Sequence, residues 1–254
     1  MVKPIILRTA GTNCDLEIEW ACVKAGATPS RVHVSSITSK KVNLLDYDIL
    51  IIPGGFSYGD DLGAGKVLAN EIMLKFGDLI EKFREKERPI IGICNGFQVL
   101  VKAKMLPFWS KQTASLVWND SGRFEDRWVY LRVEKSISPF FRNMPDVVRF
   151  PVAHAEGKFI LKNNALLKKL EKNRQVVLRY VDPSGEIASY PYNPNGSTSS
   201  IAGVCDESGL IVGMMPHPER AVLNVHKPDW LRNNLKDGYY SGFQFLKNVI
   251  EYCL

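Results

Sequence analysis

Long apolar runs, paired cysteines and clustered basic residues are all missing from this 254-residue chain. No stretch approaches the roughly 18 to 20 apolar residues that a membrane-crossing helix needs, so no membrane association is expected. The opening Met1-Val-Lys-Pro-Ile-Ile-Leu7 turns polar too soon to read as a signal peptide. The five cysteines, Cys14, Cys22, Cys94, Cys205 and Cys253, form an odd, scattered set without a C-x-x-C pair. That pattern suits neither a disulfide framework nor a cysteine metal knuckle, and it points to a reducing cytoplasm. The formal charge is +6, yet Lys and Arg are spread along the chain without interleaved aromatics, so a nucleic-acid partner is not expected. Internal repeats and low-complexity tracts are also missing.

What is present is the balance of an ordinary globular protein, 45% apolar and 24% charged. The length suits one α/β domain spanning 1–254. Continuous apolar segments at Pro4–Thr9, Asp48–Ile52 and Pro89–Ile93, with a short strand at Val32–Val34, alternate with helical patterns. The helices are expected at about Asp15–Ala25, Lys66–Arg84 and from Gly96 to about Ala103. This alternation predicts a mostly parallel sheet flanked by helices, with its chemistry in loops at the carboxyl ends of the strands. From Thr113 to about Val181 shorter alternating strands (Ser115–Trp118, Trp128–Val133, Val176–Val181) predict an antiparallel extension of the same unit. Tyr190–Ser200 is rich enough in Pro, Asn, Gly and Ser to predict a long surface loop, and a last helix is expected at about Tyr239–Tyr252.

Gly92-Ile-Cys94-Asn-Gly96 follows an apolar strand and opens a helix, the context in which G-x-S-x-G sets a serine on a tight turn, with cysteine in the serine's place. Flanking glycines remove Cβ clashes across the turn, and the helix that follows aims its positive end at the sulfur, which favours a thiolate. The other four cysteines carry no such signal and read as structural. Met215-Pro-His217-Pro-Glu219-Arg220 follows the apolar strand Leu210–Met214. Its prolines predict an extended segment in which His217 and Glu219 project to the same side, a base with its orienting carboxylate. Cys94 is the nucleophile that this pair lacks.

His33 and His226 have no acidic or cysteine neighbour in sequence and read as bland. His154 stands two before Glu156, but no P-C-x-x-C follows, so no metal site is expected. Between Pro53 and Lys66 lie five glycines, Gly54, Gly55, Gly59, Gly63 and Gly65. The stretch satisfies neither phosphate-loop pattern. Its place after a buried strand suits backbone N–H donors for an oxyanion, with Gly55 and the amide of Asn95 as the candidates.

Gly-Ile-Cys-Asn-Gly-Phe-Gln at 92–98 and Pro-His-Pro-Glu-Arg at 216–220, in that order, resemble the class I glutamine amidotransferase domain. The resemblance implies a flavodoxin-like fold with Cys94 as nucleophile, His217 as base and Glu219 as its partner. It also implies a glutamine pocket near Gln98, with Gly54 and Phe56 beside it. Pro-Gly-Gly-Phe-Ser-Tyr-Gly-Asp at 53–60, Asn-Asp-Ser-Gly-Arg-Phe-Glu at 119–125 and Tyr-Asn-Pro-Asn-Gly-Ser at 192–197 are similar to the glutaminase-subunit family of phosphoribosylformylglycinamidine synthase, over nearly the whole chain. For such a subunit the resemblance implies no cofactor of its own, ATP and Mg on a large synthase subunit, and a small third subunit. One departure is His154-Ala-Glu-Gly157, where that family has His-Gly-Glu-Gly. The residues alone also admit a partner-free cysteine hydrolase of similar fold, or a binding module with an oxidation-sensing cysteine.

Overall fold

In a computed structural model residues 1–233 and 236–254 are described. The first half alternates β1 (Pro4–Arg8), α1 (Asp15–Lys24), β2 (Ser30–His33), a short α2 (Val34–Thr38), β3 (Ile49–Ile52), α3 (Lys66–Glu85), β4 (Ile90–Ile93) and α4 (Asn95–Lys102). The second half holds β5 (Ala114–Val117), β6 (Glu125–Val133), β7 (Val147–His154), β8 (Lys158–Leu161), α5 (Asn164–Lys172), β9 (Val176–Val181), β10 (Ile201–Cys205), β11 (Ile211–Met214) and α6 (Ser241–Glu251).

The main sheet runs β2-β1-β3-β4-β11-β10-β9-β6-β7. The five strands from β2 to β11 pair in parallel, and from β11 onward every pairing is antiparallel. All residues of β3 and β4 are buried, because helices cover a parallel sheet on both faces and leave no polar side. Helix α1 packs with α6, and α3 packs with α4 and α2. Of the predicted antiparallel extension, Trp128–Val133 and Val176–Val181 continue the same sheet in β6 and β9, whereas Ser115–Trp118 falls in β5, which pairs with β8 in a separate two-stranded antiparallel sheet.

Register places the chemistry. β4 and β11 pair from Ile90 with Ile211 to Ile93 with Met214, so the two strands end side by side. Cys94 N–H then donates to Met214 O at 2.8 Å. The loops after β1 and β3 meet at the same end, through a bridge between Thr12 and Gly55.

Several expectations shift. Val34 opens α2 instead of ending a strand, because His33 caps that turn by accepting from Ser35 N–H at 3.2 Å. The strands β7, β8 and β10 and the helix α5 lie outside the segments expected from the sequence, although β7 alternates half-buried and buried residues along its whole length, and the last helix begins at Ser241. Tyr190–Ser200 is irregular, and it forms a surface loop at Tyr190–Tyr192 but not throughout, since Asn193, Asn195, Ser197 and Ser200 are buried. Asn195 Nδ2 donates to Gly157 O at 2.8 Å, and Ser197 Oγ accepts from Phe159 N–H at 2.9 Å. Short polar side chains here replace the partners that an irregular buried backbone would otherwise lack.

Candidate active site

β4 ends at Ile93 and α4 begins at Asn95, so the whole change of direction falls on Cys94, whose φ is 51° and ψ −104°. A non-glycine residue in such a conformation is strained and persists only where its surroundings over-determine it. The surroundings here are close. A Cβ on Gly96 would lie 1.8 Å from Ile52 O, and one on Gly92 would lie 2.7 Å from the Gly96 backbone, which is why the elbow needs glycine on both sides of the cysteine. Cys94 is 5% exposed, and its Sγ donates to Ala153 O at 3.6 Å.

His217 leaves the end of β11, fixed by its N–H to Pro151 O at 2.9 Å. The extended path predicted through Glu219 is not kept: Pro218–Arg220 is a single 3-10 turn, closed by Ala221 N–H on Pro218 O at 2.9 Å. The fixed φ of Pro218 suits a first helical position as well as an extended one. The turn still delivers the predicted pair, with Glu219 Oε1 2.6 Å from His217 Nδ1 and exposures of 2% and 1%. Because a carboxylate can only accept, Nδ1 carries the proton and Nε2 is left for chemistry. Burial works against the imidazolium, but the charges of Glu219 and Cys94 outweigh it and hold the pKa of His217 well above its ordinary value. Nε2 makes no hydrogen bond. Cys94 is thus near enough to couple electrostatically while its thiol is turned to Ala153.

Among the described residues neither Gly55 N–H nor Asn95 N–H donates to another main-chain group. Gly55 and Cys94 line one cavity of about 190 Å³, together with Phe56, Asp60, Gln98 and Glu156.

The chain matches the CobB/CobQ-like glutamine amidotransferase domain over residues 1–253. It belongs to the glutamine amidotransferase family. Among its relatives, the phosphoribosylformylglycinamidine synthase subunit PurQ of Dehalococcoides mccartyi is 45% identical, over 99% of this chain and 98% of the relative. The protein of the same name from Methanococcus maripaludis is 36% identical, over 98% and 97%. A solved structure, PurLQS from Thermotoga maritima, contains a chain that superposes with a TM-score of 0.75 at 32% identity, covering 99% of this chain and 98% of that one.

The other pocket residues expected of an amidotransferase divide in two. Phe56 and Gln98 line the cavity, but both polar ends of Gln98 are engaged within the chain. Its Nε2 donates to Glu156 O at 2.7 Å, and its Oε1 accepts from Asn95 Nδ2 at 3.0 Å. Gly54 sits beneath the base, where a Cβ would approach His217 Cε1 to 2.7 Å.

Three neighbours of this amidotransferase site went unforeseen. Cys14, expected to be merely structural, places Sγ 4.0 Å from His217 Nδ1 and accepts from Arg220 Nη2 at 3.1 Å. Its position just after a parallel strand was the available signal. Asp60 lies in the cavity wall, hidden in the sequence by the glycines around it. Asn119 orders the segment after β7: its Nδ2 donates to His154 O and Arg123 O, each at 2.9 Å, and its Oδ1 accepts from Gly157 N–H at 3.0 Å. The same Oδ1 faces His154 Nδ1 at 3.2 Å, which makes Nδ1 the protonated nitrogen. Burial, reinforced by the His217 charge, pushes the pKa of His154 down to about 3, so this ring stays neutral. Among the described residues Cys14, His217 and Glu219 form the one group spaced to hold a metal ion. The Arg220 guanidinium already supplies a positive charge at that sulfur.

Proposed function

We propose that the chain is the glutaminase subunit of a phosphoribosylformylglycinamidine synthase. It hydrolyses L-glutamine and passes the ammonia to a large synthase subunit, which uses ATP and Mg to convert formylglycinamide ribonucleotide to formylglycinamidine ribonucleotide in purine synthesis. A small third subunit completes the complex. This chain needs no cofactor of its own and works as one unit in the cytoplasm, where its five free cysteines stay reduced. The observation that carries the reading is the convergence of Cys94, His217 and Glu219 at the ends of two adjacent parallel strands, in a chain matched by its relatives over full length.

Cys94 Sγ passes its proton to His217 Nε2 and attacks the side-chain carbonyl of glutamine. The tetrahedral oxyanion lies toward the Gly55 and Asn95 amides, each such donor being worth roughly 3 kcal/mol. Collapse breaks the C–N bond as His217 returns the proton to nitrogen, which releases ammonia and leaves a glutamyl thioester. Water, deprotonated by His217, then attacks the thioester, which frees glutamate and restores the thiol. Sγ rests on Ala153 O in the structure, and the first step turns the thiol toward Nε2.

The test is a reconstituted complex carrying Cys94→Ala. It is expected to lose glutamine-dependent synthesis and to keep synthesis from added ammonium, while the unmodified chain alone hydrolyses glutamine far more slowly than the complex does. Full glutamine-dependent turnover in the Cys94→Ala complex would refute the assignment.

A further inference from the structure

Asp60 is a charged group in the catalytic cavity that the hydrolysis steps do not use. It stands in the wall with Cys94, Gln98 and Glu156. The Asn95 side chain fixes its position: Asn95 Nδ2 donates to Asp60 Oδ1 at 3.2 Å, and Asn95 Oδ1 accepts from Ser57 N–H at 3.2 Å. Gly65 N–H adds a second hydrogen bond to the same Oδ1 at 3.3 Å. One side chain, next in sequence to the nucleophile, thus clamps both ends of the Ser57–Asp60 turn. That turn is strained, because Tyr58 and Asp60 are non-glycine residues at φ 56° on either side of Gly59 at 70°. Strain of this kind persists where it serves a site.

The two carboxylates of the cavity differ. Glu156 is paired with Lys102 at 3.7 Å, and both its oxygens accept from Ala64 N–H at 3.3 Å. Asp60 has no cationic partner within salt-bridge distance among the described residues, and its Oδ2 takes no hydrogen bond from them. Burial and the Glu156 charge push its carboxyl above the usual range, against the Gly65 amide, the Asn95 side chain and the more distant Lys102 charge, which oppose them. A half-buried carboxylate with a free oxygen and no ion-paired cation, in the same cavity lining as Cys94, is matched by a substrate that brings a cation.

We propose that Asp60 Oδ2 binds the α-ammonium group of the substrate, so that the Asn95 clamp sets the distance between substrate anchor and attacking sulfur. The proposal rests on the glutaminase reading and identifies what distinguishes glutamine from simpler amides. Asp60 is a substrate-positioning residue with no part in proton transfer.

Asp60→Asn is the informative variant, since its Oδ1 can still accept from Asn95 and Gly65 while the charge is lost. The assembled complex is assayed for ammonia release from L-glutamine and from glutaramate, the same amide without the α-amino group. Asp60→Asn is expected to raise KM for glutamine by about 10- to 100-fold, the range of a charge-assisted hydrogen bond. It should leave kcat within a few-fold and leave glutaramate turnover unchanged. Equal losses on both substrates, or none on either, would overturn the proposal. Should the variant fail to fold, the unmodified complex decides: equal kcat/KM for glutamine and glutaramate would leave no α-ammonium site. An unmodified complex that releases no ammonia from glutamine would instead sink the glutaminase reading.

Discussion

Glu219 Oε1 accepts from His217 Nδ1 at 2.6 Å with both side chains out of contact with solvent. In the proposed mechanism this pair sets the tautomer of the base and stabilises the imidazolium that forms when Cys94 gives up its proton. Glu219→Gln keeps the shape but removes the charge that holds His217 above its ordinary pKa. The variant is expected to lose roughly 10²- to 10⁴-fold in kcat, the span of general acid–base assistance, with KM for glutamine little changed. Steady-state ammonia release from the assembled complex measures it.

The two buried histidines predict opposite limbs of the stability profile. His217 has a raised native pKa, so its contribution is fully present below the unfolded value near 6.5 and is lost as pH climbs through the native pKa. His154 is depressed to about 3, so its penalty appears as pH falls below 6.5, where the unfolded chain takes up a proton that the native state refuses. Each limb has a limiting slope of about 1.4 kcal/mol per pH unit. Urea denaturation from pH 4 to 9 should show His217→Gln flattening the alkaline limb and His154→Gln the acid limb. If each variant flattens the opposite limb, the signs are wrong.

Strain at the nucleophile separates activity from stability. Cys94 sits at φ 51°, a penalty of roughly 1 to 3 kcal/mol for a non-glycine residue, whereas glycine adopts such angles at an entropic cost of about 0.5 to 1 kcal/mol. Cys94→Gly and Cys94→Ala should both be inactive with glutamine, with the glycine variant the more stable by about 1 kcal/mol in denaturant titration. Equal stabilities would show that the elbow stores no strain.

Asn119 ties together the segment that follows β7, through hydrogen bonds to His154 O, Arg123 O and Gly157 N–H. Asn119→Ala leaves buried backbone groups unpaired, at about 1 to 3 kcal/mol each. A loss of about 3 kcal/mol is expected in urea denaturation, together with a higher KM for glutamine, because Ala153, Ala155 and Glu156 form one wall of the cavity.

Much of the parallel half was legible because β3 and β4 are wholly apolar and α3 is amphipathic, and both are local patterns. The candidate site geometry was partly legible for the same reason, since the two glycines around Cys94 and the two prolines around His217 are local constraints on backbone shape. Legibility failed where partners are distant in sequence. Asn195 finds Gly157 and Tyr180, and Cys14 finds Arg220, only through the folded sheet. The polar run at Tyr190–Ser200 read as surface because its residues are turn formers, although their side chains are spent on buried backbone. The geometry from His217 to Glu219 was misjudged because proline fixes φ alone, and a 3-10 turn satisfies it as well as an extended path does.

Mass spectrometry after treatment with 6-diazo-5-oxo-norleucine, a reactive glutamine mimic, tests the central claim most directly. A single adduct on Cys94, faster with the synthase subunits present and lost in His217→Ala, is the predicted result. No adduct with or without the synthase, or an adduct on another cysteine such as Cys14, would contradict a glutamine-directed Cys94 nucleophile.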